Sequence, residues 1–267
     1  MKKNKKNLLK KLFEIYEGCK VKRPSKKRDL SNRFVVWNIL IKYITFLPAY
    51  FFNRIKISPD LITFTSFLFV PLGSYFIISE KIILGATCWA LFGALDSLDG
   101  DMVRLSKRRT FYGETLDSLG ADIFYFLTPA TIGFYLYNYN LNYENSYSPS
   151  YFIIIGFLTS FFLIFTRYMG SKRYILSLIN PKNNKKFYSK KKISNLSKIN
   201  SKFSILENEI LRGNLFAEPG MILNYFIIFY FNQIKILEWY LIILFAYYFV
   251  IFLKRTVASI IYFSNIE

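Results

Sequence analysis

At 267 residues the chain is long enough for one helical membrane domain or for one to two soluble domains. Apolar residues make up 53% of it, with 29 Phe and 21 Tyr, and the long apolar runs exclude an ordinary soluble protein. The absence of His removes imidazole as a catalyst or metal ligand, while the formal charge of +19 leaves nucleic acid or an anionic lipid surface as its counterpart.

Taken in chain order, residues 1–33 read as a basic cytoplasmic tail, without the short apolar core and cleavage chemistry of a secretory signal. Residues 34–57 mix aromatic and aliphatic side chains with Arg33, Lys42, Arg54 and Lys56 around them, and Pro48 interrupts the run. This pattern predicts an interfacial amphipathic helix on the cytoplasmic leaflet rather than a seventh span. The remainder, 58–263, predicts an all-α integral membrane bundle of six transmembrane helices: 60–79, 82–98, 115–137, 151–169, 215–233 and 238–262. Asp60 after Pro59 suits the start of the first span, since proline fits a helix's first turn and an acid suits its N-terminus. Pro149 and Pro219 stand near the starts of the fourth and fifth.

Charge sets the orientation. Residues 1–56 hold sixteen Lys and Arg against three acids, and the loop 171–212 holds eleven against two. The 99–114 connection is basic as well, whereas 138–150 has one acid and no base. Basic stretches alternating with apolar spans follow the positive-inside rule, which places both termini and the three basic segments in the cytoplasm and makes nucleic acid the weaker reading. Cys19 and Cys88 form no paired or metal-binding motif.

The chemistry sits between the second and third spans. Asp96, Asp99 and Asp101 close one apolar run, and Glu114, Asp117 and Asp122 open the next. Ionisable groups are costly in hydrocarbon, so such a cluster reads as a functional site. Crowded carboxylates repel unless a cation lies between them, and oxygen ligands favour Mg²⁺, Mn²⁺ or Ca²⁺. Asp96 and Asp99 share one helix face, as do Gly113 and Asp117, and a short connection between antiparallel neighbours would bring Asp96, Asp99 and Asp117 together. Gly100 and Gly113 leave room for close approach of a diphosphate, and Arg104 offers a fork of donors to phosphate oxygens. Asp101 and Glu114 are expected in the solvated connection.

At this spacing the chain resembles the CDP-alcohol phosphatidyltransferase family, whose signature is D-x2-D-G-x2-A-R-x8-G-x3-D-x3-D. Asp96, Asp99, Gly100, Arg104, Gly113 and Asp117 match it in type and position. The segment Ile57-Ser58-Pro59-Asp60-Leu61-Ile62-Thr63 is similar to the Thr-Pro-Asn-x-x-Thr that precedes the family's first span. The resemblance implies a phospholipid-synthesis transferase that moves a phosphatidyl group from CDP-diacylglycerol to a hydroxyl acceptor and releases CMP. It implies Mg²⁺ or Mn²⁺ held by Asp96, Asp99 and Asp117, a CDP site lined by Gly100, Arg104 and Gly113, membrane lipids as surroundings, and a homodimer. The alternatives are transfer from a CDP-linked small alcohol to a lipid, or a catalytically weakened lipid-binding relative. Cationic residues near the end of the family's fourth span hold an anionic acceptor, which points to Arg167 or Arg173; a plain positive-inside anchor is the competing reading.

Two departures stand out. Val103 replaces the family's Ala. More seriously, the last Asp of the signature, the family's base, falls on Ala121, and Asp122 lies one residue later. One residue is ~100° of helical rotation, so Asp122 serves as base only if a one-residue bulge turns it, and the neighbouring Gly120 offers a place for one. A transporter with a translocated cation is the remaining class. It wants acids near the bilayer midplane with access from both sides, not beside one basic loop.

Overall fold

The computed structural model of the protein describes residues 36–106, 110–142, 148–179 and 214–264. The basic tail 1–33, the cations Lys107 to Arg109 and most of the 171–212 loop lie outside the described residues. Within them the chain is all helix: α1 (Val36–Arg54), α2 (Pro59–Ile78), α3 (Ile82–Ser106), α4 (Phe111–Asn142), α5 (Ser150–Ile179), α6 (Glu218–Tyr230) and α7 (Ile234–Ser264). Helix starts follow the prolines. Ser58 is extended and Pro59 opens α2 with Asp60 in its first turn, while extended Ala217 precedes α6 and Pro219 stands in its first turn. Tight connections are made by three residues with positive φ, Lys56, Glu80 and Asn232, between α1 and α2, α2 and α3, and α6 and α7.

Among the described residues five helices are long and apolar enough to cross a membrane: α2, α3, α4, residues 150–172 of α5, and residues 234–260 of α7. Several of them outrun the stretches expected from hydropathy, α3 by continuing through the acidic motif to Ser106 and α5 by entering the expected 171–212 loop. The chain is an integral membrane protein on this count. The expected fifth span, 215–233, takes a different form. Residues 214–216 make a wide helical turn, Ala217 is extended, and α6 is only 13 residues long. At 1.5 Å per residue such a helix covers about 20 Å, short of the ~30 Å hydrocarbon layer. The break arises because Pro219 cannot donate into a preceding turn, and because side chains elsewhere claim the carbonyls of 214–216.

α2 packs on α3 and α4, α4 on α5, and α5 on α7; α1 and α6 both lean on α3. The core is aromatic. Trp89, Phe92, Phe124, Tyr225 and Phe229 are fully buried, Phe92 stacks on Phe124 at 5.3 Å, and the Trp89 indole donates to the Val70 carbonyl at 3.2 Å. Large apolar residues such as Leu68, Leu91, Phe157, Trp239 and Val250 face outward, the arrangement of helices solvated by lipid rather than water. Interior polar groups also link helices, as when the Ser160 hydroxyl of α5 donates to the Phe126 carbonyl of α4 at 2.7 Å, whereas the buried hydroxyls of Ser74, Tyr225 and Thr256 have no partner among the described residues. Gly133 and Gly156 let α4 and α5 touch backbone to backbone: a Cβ on Gly133 would lie 3.0 Å from the Gly156 Cα. α1 runs helically through Pro48 and buries Ile41, Thr45 and Ala49.

Candidate active site

The end of α3, the start of α4 and the first turn of α2 meet around a cavity of about 300 Å³. Asp60 and Thr63 line it from α2, Asp99, Gly100 and Arg104 from α3, and Gly113, Glu114 and Asp117 from α4. Asp99 is buried, and its Oδ2 accepts a hydrogen bond from the Thr63 hydroxyl. That bond fixes the carboxylate toward α2. Asp96, three residues earlier on the same face, is half-buried and lies within electrostatic reach of Asp99, Asp117 and Glu218. Asp117 is exposed at the cavity. Asp99 and Asp117 thus share one cavity across the α3–α4 connection, while Asp96 does not line it and stands within electrostatic reach of both.

Two supports were not legible as site features from the motif's spacing. Asp60 starts α2 as expected, and its carboxylate also accepts from the Thr110 hydroxyl at 2.8 and 3.0 Å. A Cβ on Gly113 would collide with Asp60 Oδ1 and come within 3.0 Å of Thr110 Oγ1, so any larger residue there has to displace the Asp60 carboxylate from its bond with Thr110. The likeness of the Pro59–Thr63 stretch to the family's first segment was the available signal for Asp60 and Thr63. Asp101, expected in a solvated connection, is instead 4% exposed. It accepts from the Thr45 hydroxyl of α1 at 2.7 Å and pairs with the Arg104 guanidinium through its other oxygen. The correction has a simple cause: α3 stays helical to Ser106, and α1 covers the face that carries Asp101. Arg104 Nη1 lies 3.3 Å from where a Gly100 Cβ would be, so the guanidinium rests over that glycine.

Beyond Asp117, α4 is an uninterrupted α-helix, and no bulge forms at Gly120. Ala121 is buried in the core, and Asp122 points instead to α5, where it pairs with Arg167 Nε at 2.5 Å. The Arg167 guanidinium sits 4.9 Å over the Tyr125 ring. The Tyr125 hydroxyl in turn accepts from the Glu218 backbone N–H at 2.9 Å. The Glu218 side chain lies within electrostatic reach of Arg167, Asp117 and Asp122. Glu218, nearly a hundred residues downstream of the motif, was missed in sequence; only its place beside Pro219 marked the segment. Arg173 lies on α5 two turns beyond Arg167, but its side chain falls outside the described residues.

The donor set fits a hard divalent cation. Asp96, Asp99 and Asp117 supply carboxylate oxygens, the chain has no His, and the buried Cys88 lies well away in the apolar part of α3. Among the described residues no three acidic side chains are already closed around one metal position. The carboxylates are neighbours held by hydrogen bonds and helix packing.

Comparison with known proteins agrees with this geometry. A family model of CDP-alcohol phosphatidyltransferases matches residues 56–194, just over half of the chain. An uncharacterized protein of Aquifex aeolicus (strain VF5) is 44% identical over 69 residues, which cover 26% of this chain and 35% of that protein. The chain thus spans about a third of that relative's length. No solved structure matches. With the family match covering α2 through α5 and the cavity built from its motif residues, the chain belongs to the CDP-alcohol phosphatidyltransferase family.

Proposed function

We propose that the protein transfers a phosphatidyl group from CDP-diacylglycerol to a hydroxyl acceptor at the cytoplasmic leaflet, with release of CMP. The observation that carries this reading is one cavity lined together by Asp99, Gly100, Arg104, Gly113 and Asp117. Those residues combine carboxylates for a cation, a guanidinium for phosphate oxygens, and two glycines that let a diphosphate lie against backbone.

Asp96, Asp99 and Asp117 would hold Mg²⁺ or Mn²⁺, which when bound neutralises the diphosphate and the charge on the departing phosphate. Thr63 keeps Asp99 oriented. Arg104 turns from Asp101 toward the diphosphate, a fork meeting phosphate oxygens at two points. Gly100 and Gly113 line the CDP side. Arg167, with Arg173 further along α5, offers positive charge to an anionic acceptor, and Asp122 holds the Arg167 guanidinium in place. In this arrangement Asp122 serves Arg167, and the proton of the acceptor hydroxyl needs another carboxylate.

The membrane layout follows the loop charges: α1 as an interfacial helix, both termini and the cavity on the cytoplasmic side, and α6 with its flanking turns completing a sixth, thinner crossing. The functional unit is a homodimer in lipid. The test is CMP release by purified protein from CDP-diacylglycerol with Mg²⁺ or Mn²⁺ and a panel of alcohols (glycerol 3-phosphate, inositol phosphate, serine). Wild-type release that falls at least about 100-fold in Asp117→Asn supports the reading. Release from a CDP-linked small alcohol in the presence of diacylglycerol, and none from CDP-diacylglycerol, reverses the roles of donor and acceptor. No CMP from either donor refutes transfer.

A further inference from the structure

Position 121 is where the family signature calls for its last carboxylate, and this chain has a methyl group there. On α4, Asp117, Ala121 and Tyr125 stand four residues apart and share one face. Two of the three are tied to the same residue of another helix. The Tyr125 hydroxyl accepts from the backbone N–H of Glu218, and the Glu218 side chain lies within electrostatic reach of Asp117. The backbone of Glu218 is thus fixed against the residue one turn below position 121, and its side chain lies within electrostatic reach of the residue one turn above. It also stands within electrostatic reach of Asp96 on α3.

The segment that delivers Glu218 is held more firmly than a connection needs to be. The Leu215 and Phe216 carbonyls accept from the Tyr240 and Tyr248 hydroxyls of α7. The Asn214 carbonyl accepts from the Asn224 side chain at 3.0 Å, and its own side chain accepts from the Val36 N–H at 2.8 Å. The Phe216 ring stacks on Tyr247 at 3.9 Å. Together these contacts interrupt the helix before Pro219 and fix where its first residue points. Glu218 makes no direct ion pair with a described residue, and Arg167, a cation within its electrostatic reach, is already engaged by Asp122.

We infer that Glu218 supplies, from α6, the carboxylate that α4 lacks at position 121, and that it takes the proton of the acceptor hydroxyl. The inference rests on the transferase reading above. In the step, the acceptor oxygen forms a bond to the phosphorus of the phosphatidyl group. The bond from that phosphorus to the bridging oxygen breaks, its electron pair leaves with CMP, and the hydroxyl proton passes to the Glu218 carboxylate. A positioned base contributes roughly 100- to 10,000-fold in rate.

The test uses full-length protein with CDP-diacylglycerol, Mn²⁺ and whichever alcohol of the panel supports wild-type turnover. Glu218→Gln keeps the backbone N–H that bonds Tyr125 and removes only the basic oxygen. Its kcat, measured at saturating Mn²⁺, is expected to fall at least about 100-fold, and excess Mn²⁺ is not expected to restore it, because the ligating carboxylates remain and only the base is lost. Adding Ala121→Asp to Glu218→Gln is expected to recover at least a tenth of wild-type kcat, a rescue that a merely misfolded variant would not give. Asp122→Asn is expected to raise KM for the acceptor more than it lowers kcat, through its hold on Arg167. Wild-type turnover with Glu218→Gln equally active overturns the inference and leaves the transferase reading standing. Recovery of wild-type kcat by excess Mn²⁺ makes Glu218 part of the metal site and overturns its role as base, and failure of Ala121→Asp to restore turnover overturns its substitution for a carboxylate at position 121. Absence of wild-type CMP release overturns both readings together.

Discussion

Replacing Gly133 by alanine sets the packing of α4 on α5 against helix propensity. The new Cβ would lie 2.5 Å from the Phe152 carbonyl oxygen and 3.0 Å from the Gly156 Cα. Both obstacles are backbone, so neither can rotate aside. Relief requires the helices to part by roughly 1 Å, and a gap of that size forfeits a quarter to a half of the dispersion energy across it. The Ser160 bond to the Phe126 carbonyl, 2.7 Å long, stretches with the same movement, and such interhelical bonds average about 0.6 kcal/mol in membranes. Overpacking costs about 1–3 kcal/mol, while alanine gains about 1 kcal/mol over glycine in a helix. The net expectation is destabilisation by about 1–2 kcal/mol. Gly170→Ala, on the same α5, provides the contrast. Among the described residues its Cβ would meet only the Arg255 guanidinium at 3.4 Å, an ordinary contact with a flexible tip, so propensity wins and the variant gains up to about 1 kcal/mol. Unfolding in matched detergent, followed by circular dichroism, reads both. Changes of the same sign in the two variants would refute the reasoning.

Other outcomes follow from the cavity. Thr63→Val removes the hydroxyl that holds Asp99 and is expected to lower kcat/KM for CMP release roughly 10- to 100-fold, the worth of a hydrogen bond to a charged group, with little change in melting temperature. Arg104→Lys keeps the charge but loses the fork, so KM for the CDP donor should rise about tenfold in initial-rate assays, while a change confined to kcat would contradict a binding role. Chelation with EDTA should stop turnover, with recovery on adding Mg²⁺ or Mn²⁺; activity that survives chelation would remove the cation from the mechanism.

Hydropathy made α2 to α5 and α7 legible, because each is an apolar run long enough to span. The motif made Asp99, Gly113 and Asp117 legible as neighbours, because residues three and four apart share a helix face and a short connection returns the chain. What escaped were features set by distant partners. The run 215–233 is apolar throughout, and its break depends on Tyr240 and Tyr248 claiming the carbonyls ahead of Glu218. Asp60 and Thr110 are fifty residues apart, and Asp101 is buried only because Thr45 of α1 lies across it. The direction of Asp122 hung on whether α4 bulges at Gly120, a local choice that the packing of Phe67 and Phe92 around that glycine decides and the one-dimensional pattern leaves open.

If the cavity binds a nucleotide as proposed, the pair between Arg104 and Asp101 has a consequence for how that nucleotide comes and goes. The guanidinium is already matched to a counter-ion that is fixed in the protein, buried and secured by Thr45. Under the proposed function, taking up a diphosphate would be an exchange of one anion for another, and the affinity would measure only the difference between them. The same internal competitor would stand ready when the nucleotide monophosphate departs, drawing the guanidinium back once the second phosphate has left with the lipid product. Removing that competitor, as in Asp101→Asn, would tighten the grip on substrate and product alike, slowing turnover at its last step. A carboxylate that never touches the substrate would thereby set how readily the site empties.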